Sequence, residues 1–211
     1  PEIQTERNTF MADDHATPES ALERLIAGNM RFVTGKPKHP HNGPSRREEV
    51  VAGQKPFATV ITCSDSRVPP EIIFDCGIGD IFVVRTAGHY LDETALGSVI
   101  YAVAHLACPV VMVLGHESCG ALTTATNPSF EPASEPPVLR TLVKKLQDNI
   151  PNAMEADPAD PGRLESAIRE NVNSVSRQLS QLHAVRDRLG DGSLSVVTAM
   201  YSMETGNVTL F

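Results

Sequence analysis

The strongest constraint on this chain is a pair of strand-length apolar runs, each ending abruptly in a polar, cysteine-bearing segment. Residues 57–62 (Phe-Ala-Thr-Val-Ile-Thr) lead straight into Cys63-Ser64-Asp65-Ser66-Arg67. Residues 110–114 (Val-Val-Met-Val-Leu) lead into Gly115-His116-Glu117-Ser118-Cys119-Gly120. Runs this short and this apolar read as strands buried on both faces, as in a parallel sheet covered by helices. Ligand sites in such sheets lie just beyond the carboxyl ends of strands. Two strand ends therefore deliver sulfur and imidazole to one sheet edge.

The rest of the chain alternates in the same sense. Thr17-Pro18-Glu19-Ser20 is a helix start, and Leu22, Leu25, Ile26, Met30 and Val33 recur at helical spacing after it, with Phe32 close by. A short helix is expected over 45–53, a helical turn over 70–75 and a second strand over 80–85. A helix over 93–106 points Leu96, Val99, Ile100, Val103 and either His105 or Leu106 inward. Residues 138–150 and 164–189 read as helices, and 127–137 and 151–162 as Pro-rich loops. Residues 194–201 and 208–210 close the sheet as a strand pair around Thr205-Gly206-Asn207. The expected fold is α/β, a mostly parallel central sheet flanked by helices. Residues 1–16 read as a flexible arm or remnant, and 17–211 as a single domain without a linker or repeat.

Composition narrows the function. At 211 residues and 22.8 kDa, the chain can form a core without staples. It is 41% hydrophobic and 21% charged, which is globular rather than disordered. A net charge of −8 disfavours a nucleic-acid partner. No apolar run approaches membrane-spanning length, so no membrane partner is expected. Four cysteines are too few for a disulfide scaffold and suit a reducing compartment. No signal peptide is visible, so the expected location is cytoplasmic; an export signal already removed stays open.

Cys63, His116 and Cys119 form a possible three-ligand set. Two thiolates and an imidazole select zinc, and three protein ligands leave a fourth position open for catalysis. His116 and Cys119 are expected three apart at a helix start, where side chains converge. A buried cysteine alone is more often a small core hydrophobe, and that reading is kept for Cys76 and Cys108. Asp65 and Arg67 lie two apart on the first loop. They make either a loop-fixing salt bridge or, beside a metal, an oriented ionised carboxylate. Among the other histidines, His39 and His41 read as solvated, His105 as a core residue and His89 as a pocket-side polar group.

Cys63-Ser64-Asp65-Ser66-Arg67, Arg85-Thr86-Ala87-Gly88 and Gly115 to Gly120 together resemble the β-class carbonic anhydrases in order and spacing. The resemblance runs from about residue 21 to 201. It implies a zinc lyase (carbonate dehydratase) that reversibly hydrates CO2 to bicarbonate and a proton, by attack of zinc-bound hydroxide. It implies one Zn2+ per chain on Cys63, His116 and Cys119, with Asp65 and Arg67 as the catalytic dyad. It implies Gln54, Phe82, Tyr101 and Gly120 as substrate-pocket residues. It also implies a homodimer or a dimer of dimers (homotetramer), with the N-terminal helical arm packed on a partner. His89 and Thr86 stand where many members have Asn. Val60 stands where one subset has a tryptophan that builds an inhibitory bicarbonate pocket, so that pocket is not expected here.

Competing readings use the same residues. They are a hydrolase of carbonyl sulfide or carbon disulfide, a closed structural or redox-sensing zinc module, and a thiol enzyme using Cys119 and His116. A zinc alcohol dehydrogenase fits poorly, because Gly77-Ile78-Gly79 precedes a strand and lacks the third glycine. Asp65 is expected to exchange between zinc and Arg67 with pH.

Overall fold

The computed structural model describes residues 16–211. The reading of residues 1–16 as an arm falls, apart from Ala16, outside the described residues. Helix α1 (Pro18–Val33) begins where the Thr17 hydroxyl accepts the Ser20 amide at 3.2 Å. Then follow α2 (Pro44–Glu49), β1 (Ala58–Cys63), α3 (Pro70–Ile73), β2 (Ile81–Thr86), α4 (Glu93–Ala104) and β3 (Val110–His116). The second half carries α5 (Gly120–Thr126), α6 (Pro137–Asn149), α7 (Pro151–Glu155), α8 (Arg163–Gln181), α9 (His183–Gly190), β4 (Ser195–Tyr201) and β5 (Val208–Leu210).

The sheet order is β2-β1-β3-β4-β5, parallel except for β5 against β4. Every residue of β1 and β3 is buried, as their unbroken apolar character requires. Val60, Met112 and Leu114 face one layer with Leu25 and Phe74. Ile61, Val111 and Val113 face the other, with Val99, Val172 and Leu179. A third cluster, with Leu122, Leu146 and Ile168, seats Cys63 and Cys119. No helix among the described residues is long and apolar enough to cross a membrane.

Three details differ from the sequence reading. The helix expected over 164–189 is two helices, because Leu182 is extended (φ −72°, ψ 131°). That break lets α8 cover the sheet while α9 packs on α4, and no Gly or Pro announces it. The loop expected over 151–162 contains α7, with Pro151 in its first turn. His105 is not a core histidine. The helix closes at Ala104, Ala107 turns the chain at φ 54°, and His105 is left exposed against the Tyr101 ring at 5.3 Å.

Helix α1 packs on its own domain along Ala21, Leu25, Gly28 and Asn29. A Cβ at Gly28 would lie 1.9 Å from the Phe74 carbonyl oxygen, so only glycine permits this approach. Asn29 donates to the Ile73 and Gly206 carbonyls and accepts from the Val208 amide. Met30, expected on the buried face, is 56% exposed.

The segment after α1 is tied down by Asp75, whose buried carboxylate accepts from Arg31 Nε at 2.6 Å and from the Lys38 and His39 amides at 2.9 Å each. Burial pushes this carboxyl up, but the bonds from Lys38, Arg31 and His39 outweigh it, and the net shift is downward. Asp75→Ala is expected to cost about 3 kcal/mol, because it strands a cation and two amides. Urea unfolding at neutral pH measures this. The folded carboxyl titrates below the unfolded value of about 4. Its contribution is therefore full above that pH and fades as pH falls through the depressed value.

Candidate active site

From β1 the chain passes to β2 on one side, and β3 then forms on the other. The crevice beyond the carboxyl ends of β1 and β3 is therefore the topological switch point of the sheet. Cys63 is the last residue of β1 and His116 the last of β3. Register sets Thr62 opposite Leu114, which brings Cys63 and His116 out at the same end of neighbouring strands, one residue apart in level. His116 is thus a strand residue, not part of a helix start as expected. Convergence comes instead from Ser118 at φ 54°, which reverses the chain and returns Cys119 at the N-cap of α5.

The two sulfurs and an imidazole nitrogen lie within 4.8 Å of one another, all three residues buried. His116 Nδ1 donates to the Glu117 carbonyl at 2.8 Å, so Nε2 carries the lone pair. That Nε2 is buried without a hydrogen-bond partner, an arrangement a metal ligand accounts for. The Cys119 thiol donates to Cys63 and drives the Cys63 pKa well down; the same bond, with burial, drives Cys119 well up. Two soft donors and a neutral imidazole suit zinc. Among the described residues no fourth candidate ligand joins the set.

Asp65 lies at the lip of the site, locked to Arg67. Its Oδ1 accepts from the Arg67 amide at 2.9 Å and Nε at 3.0 Å, and its Oδ2 from Nη2 at 2.8 Å. The Arg67 bonds hold the Asp65 carboxyl well below the usual carboxylate range. Arg67 also donates to the Ser118 carbonyl at 3.3 Å, joining the two loops. Arg85, to which the sequence reading gave no role, donates to the Cys63 carbonyl at 3.0 Å and the Asp65 carbonyl at 2.6 Å. Its place in the quoted Arg85–Gly88 motif was the available signal. The Gly88 amide donates to Cys63 Sγ at 3.3 Å. Gly88 has φ 63°, and a Cβ there would lie 2.9 Å from Leu146.

The remaining residues divide. Gly120 opens α5 beside Cys119, with no atom within 4 Å of an added Cβ. Gln54 is exposed before β1, at the end of the sheet away from Cys63. Phe82 pairs with Thr59 near the start of β2 and meets the 47%-exposed Tyr101 at 6.4 Å. One chain does not bring these three to the cluster. His89 is fully buried, its Nε2 against Asn171, and burial pushes its pKa down to about 4. His41 is not merely solvated, since its Nδ1 meets the buried Asp80 at 2.7 Å. Cys76 and Cys108 are buried, and burial pushes both thiols up, Cys76 to about 12.

A parallel sheet that gathers two thiols and an imidazole at its switch point, beside an ion-paired carboxylate, makes a buried cluster that could hold a soft metal ion. A carbonic anhydrase family model matches residues 58–208. Carbonic anhydrase 2 of Mycobacterium tuberculosis is 37% identical, over 93% of this chain and 94% of its own. The carbonic anhydrase of Mycolicibacterium smegmatis is 38% identical over the same shares. The β-carbonic anhydrase CcaA superposes with a TM-score of 0.70 at 27% identity, covering 91% of this chain and 95% of its own. The chain belongs to the β-carbonic anhydrase family, and its enzyme class is that of the carbonate dehydratases.

Proposed function

We propose that this protein reversibly hydrates CO2 to bicarbonate and a proton, with one zinc ion held by Cys63, His116 and Cys119. The observation that carries this reading is the buried, partnerless His116 Nε2 gathered with the sulfurs of Cys63 and Cys119 within 4.8 Å of one another. Zinc held there supplies a Lewis acid that makes water a nucleophile near neutral pH. The chain supplies the rest. Asp65, kept ionised by Arg67, presents an acceptor that aims the nucleophile's lone pair at CO2. Buried apolar residues behind the sulfurs exclude water. Gly120 leaves room for a small apolar substrate.

Stopped-flow CO2 hydration across pH, with metal analysis, tests this. Two thiolates weaken the ion's acidity relative to three imidazoles, for which the bound water titrates near about 7. The rate is therefore expected to rise toward alkaline pH with a midpoint above that value. A flat or falling profile overturns the assignment. One zinc per chain with no hydration transfers it to a sulfur analogue of CO2 or to a closed structural site.

Gln54, Phe82 and Tyr101 act, in this reading, on the site of a second copy. The exposure of Gln54 and Tyr101, and the distance of all three from the cluster within one chain, support that placement. The protein then works as a homodimer or a dimer of dimers in the cytoplasm. The Sordaria macrospora β-carbonic anhydrases, described as tetrameric, share the fold at 23% identity and a TM-score of 0.70. Mixing Gln54→Ala and Asp65→Ala chains is expected to restore activity, because each mixed dimer regains one site with both residues. A mixture no more active than the average of its parents places Gln54 outside the partner's site.

A further inference from the structure

Asn171 stands on the apolar stripe of α8, among Ala167, Ile168, Val172 and Val175, and is fully buried. A polar side chain there is costly unless all its hydrogen-bonding capacity is used. Its Nδ2 meets two acceptors, Gly88 O at 2.8 Å and His89 Nε2 at 2.7 Å. Its Oδ1 accepts from Asn149 Nδ2 at 2.9 Å. A carbonyl can only accept, so the amide nitrogen must face Gly88; the flipped amide would set oxygen against oxygen. Asn149 locks that same orientation from α6.

The segment held this way is strained. Gly88 and His89 are both left-handed, at φ 63° and 44°, and a left-handed histidine persists only where its surroundings impose it. On the other side of the same turn, the Gly88 amide donates to Cys63 Sγ at 3.3 Å.

We propose that Asn171, steadied by Asn149, is a positioning residue for the metal centre, holding the Gly88–His89 turn so that the Gly88 N–H stays on Cys63 Sγ. The inference rests on the reading of Cys63, His116 and Cys119 as a metal site. An amide hydrogen bond withdraws charge from a thiolate ligand and fixes its direction. Losing such an outer partner typically weakens metal binding by about 10- to 100-fold.

The test is a Co2+ titration of metal-free wild type, Asn171→Leu and Asn149→Ala, followed through the sulfur-to-cobalt charge-transfer band. Chelator competition gives affinity, and thermal unfolding of the metal-free proteins reports fold. Asn171→Leu is expected to bind about 10- to 100-fold more weakly. Its band is expected at longer wavelength, because the thiolate has lost a donor. Asn149→Ala shifts both readings the same way by less. Asn149 is half-buried and lines an open cavity of about 270 Å³ with Tyr90 and Arg177, so its truncation is compatible with folding. It decides alone if Asn171→Leu does not fold. Folded variants with wild-type affinity and an unmoved band overturn the proposal, even if they melt earlier. A wild type with no sulfur-to-cobalt band fails the metal reading itself, and the inference falls with it.

Discussion

Cys119→Ala protein is expected to retain less than about a tenth of the zinc of the wild type and to hydrate CO2 no faster than buffer. The size of the effect follows from the ligand set. In the proposed set three residues supply the protein donors, and removing one leaves a thiolate and an imidazole for an ion that binds tightly only with more. The fold should survive, since truncating one buried cysteine costs only about 1 kcal/mol of packing. Metal analysis, stopped-flow hydration and thermal unfolding of the metal-free protein separate these consequences. Full zinc occupancy in the variant would remove Cys119 from the ligand set.

Asp65→Ala is expected to lower kcat/KM for CO2 hydration by about 10²- to 10³-fold while leaving one zinc per chain. Asp65 is outside the three-residue cluster, so affinity for the ion should barely change. What is lost is a fixed acceptor, and Arg67 is left without the carboxylate it binds through three hydrogen bonds. Asp65 is held ionised far below neutral pH, so it does not titrate in the working range. The alkaline limb of the rate profile should therefore keep its midpoint in the variant, with a lower plateau. A midpoint that moves with the substitution would make Asp65 a titrating group, against the dyad geometry.

The two cysteine-bearing segments were legible because chemistry and patterning coincided there. An apolar strand that stops at cysteine or histidine fixes both the element and the address of the side chain. The mutual approach of Cys63, His116 and Cys119 followed from parallel strands ending at one sheet edge. The route of Cys119 back to the cluster did not follow, because it depends on Ser118 in a left-handed turn, a conformation that a serine does not advertise. The break at Leu182 was equally silent, since α8 and α9 share one uninterrupted apolar period. Asn171 did leave a trace: it falls on the buried stripe of α8 between apolar Ala167, Ile168, Val172 and Val175.

The position of the ligand set at the switch point of the sheet also bears on how the protein is put together. Cys63 and His116 come from neighbouring strands separated by a loop of about fifty residues, a closure whose entropy must be met before the ligands can meet. The apolar layers on both faces of β1 and β3 meet it without the ion. An ion that later bridges the two strands acts as a cross-link across the sheet's central seam, and its uptake marks completion of that seam rather than its start. A chain stripped of metal is thus expected to wait in folded form, and replenishment should be a matter of ion entry, not of renewed folding.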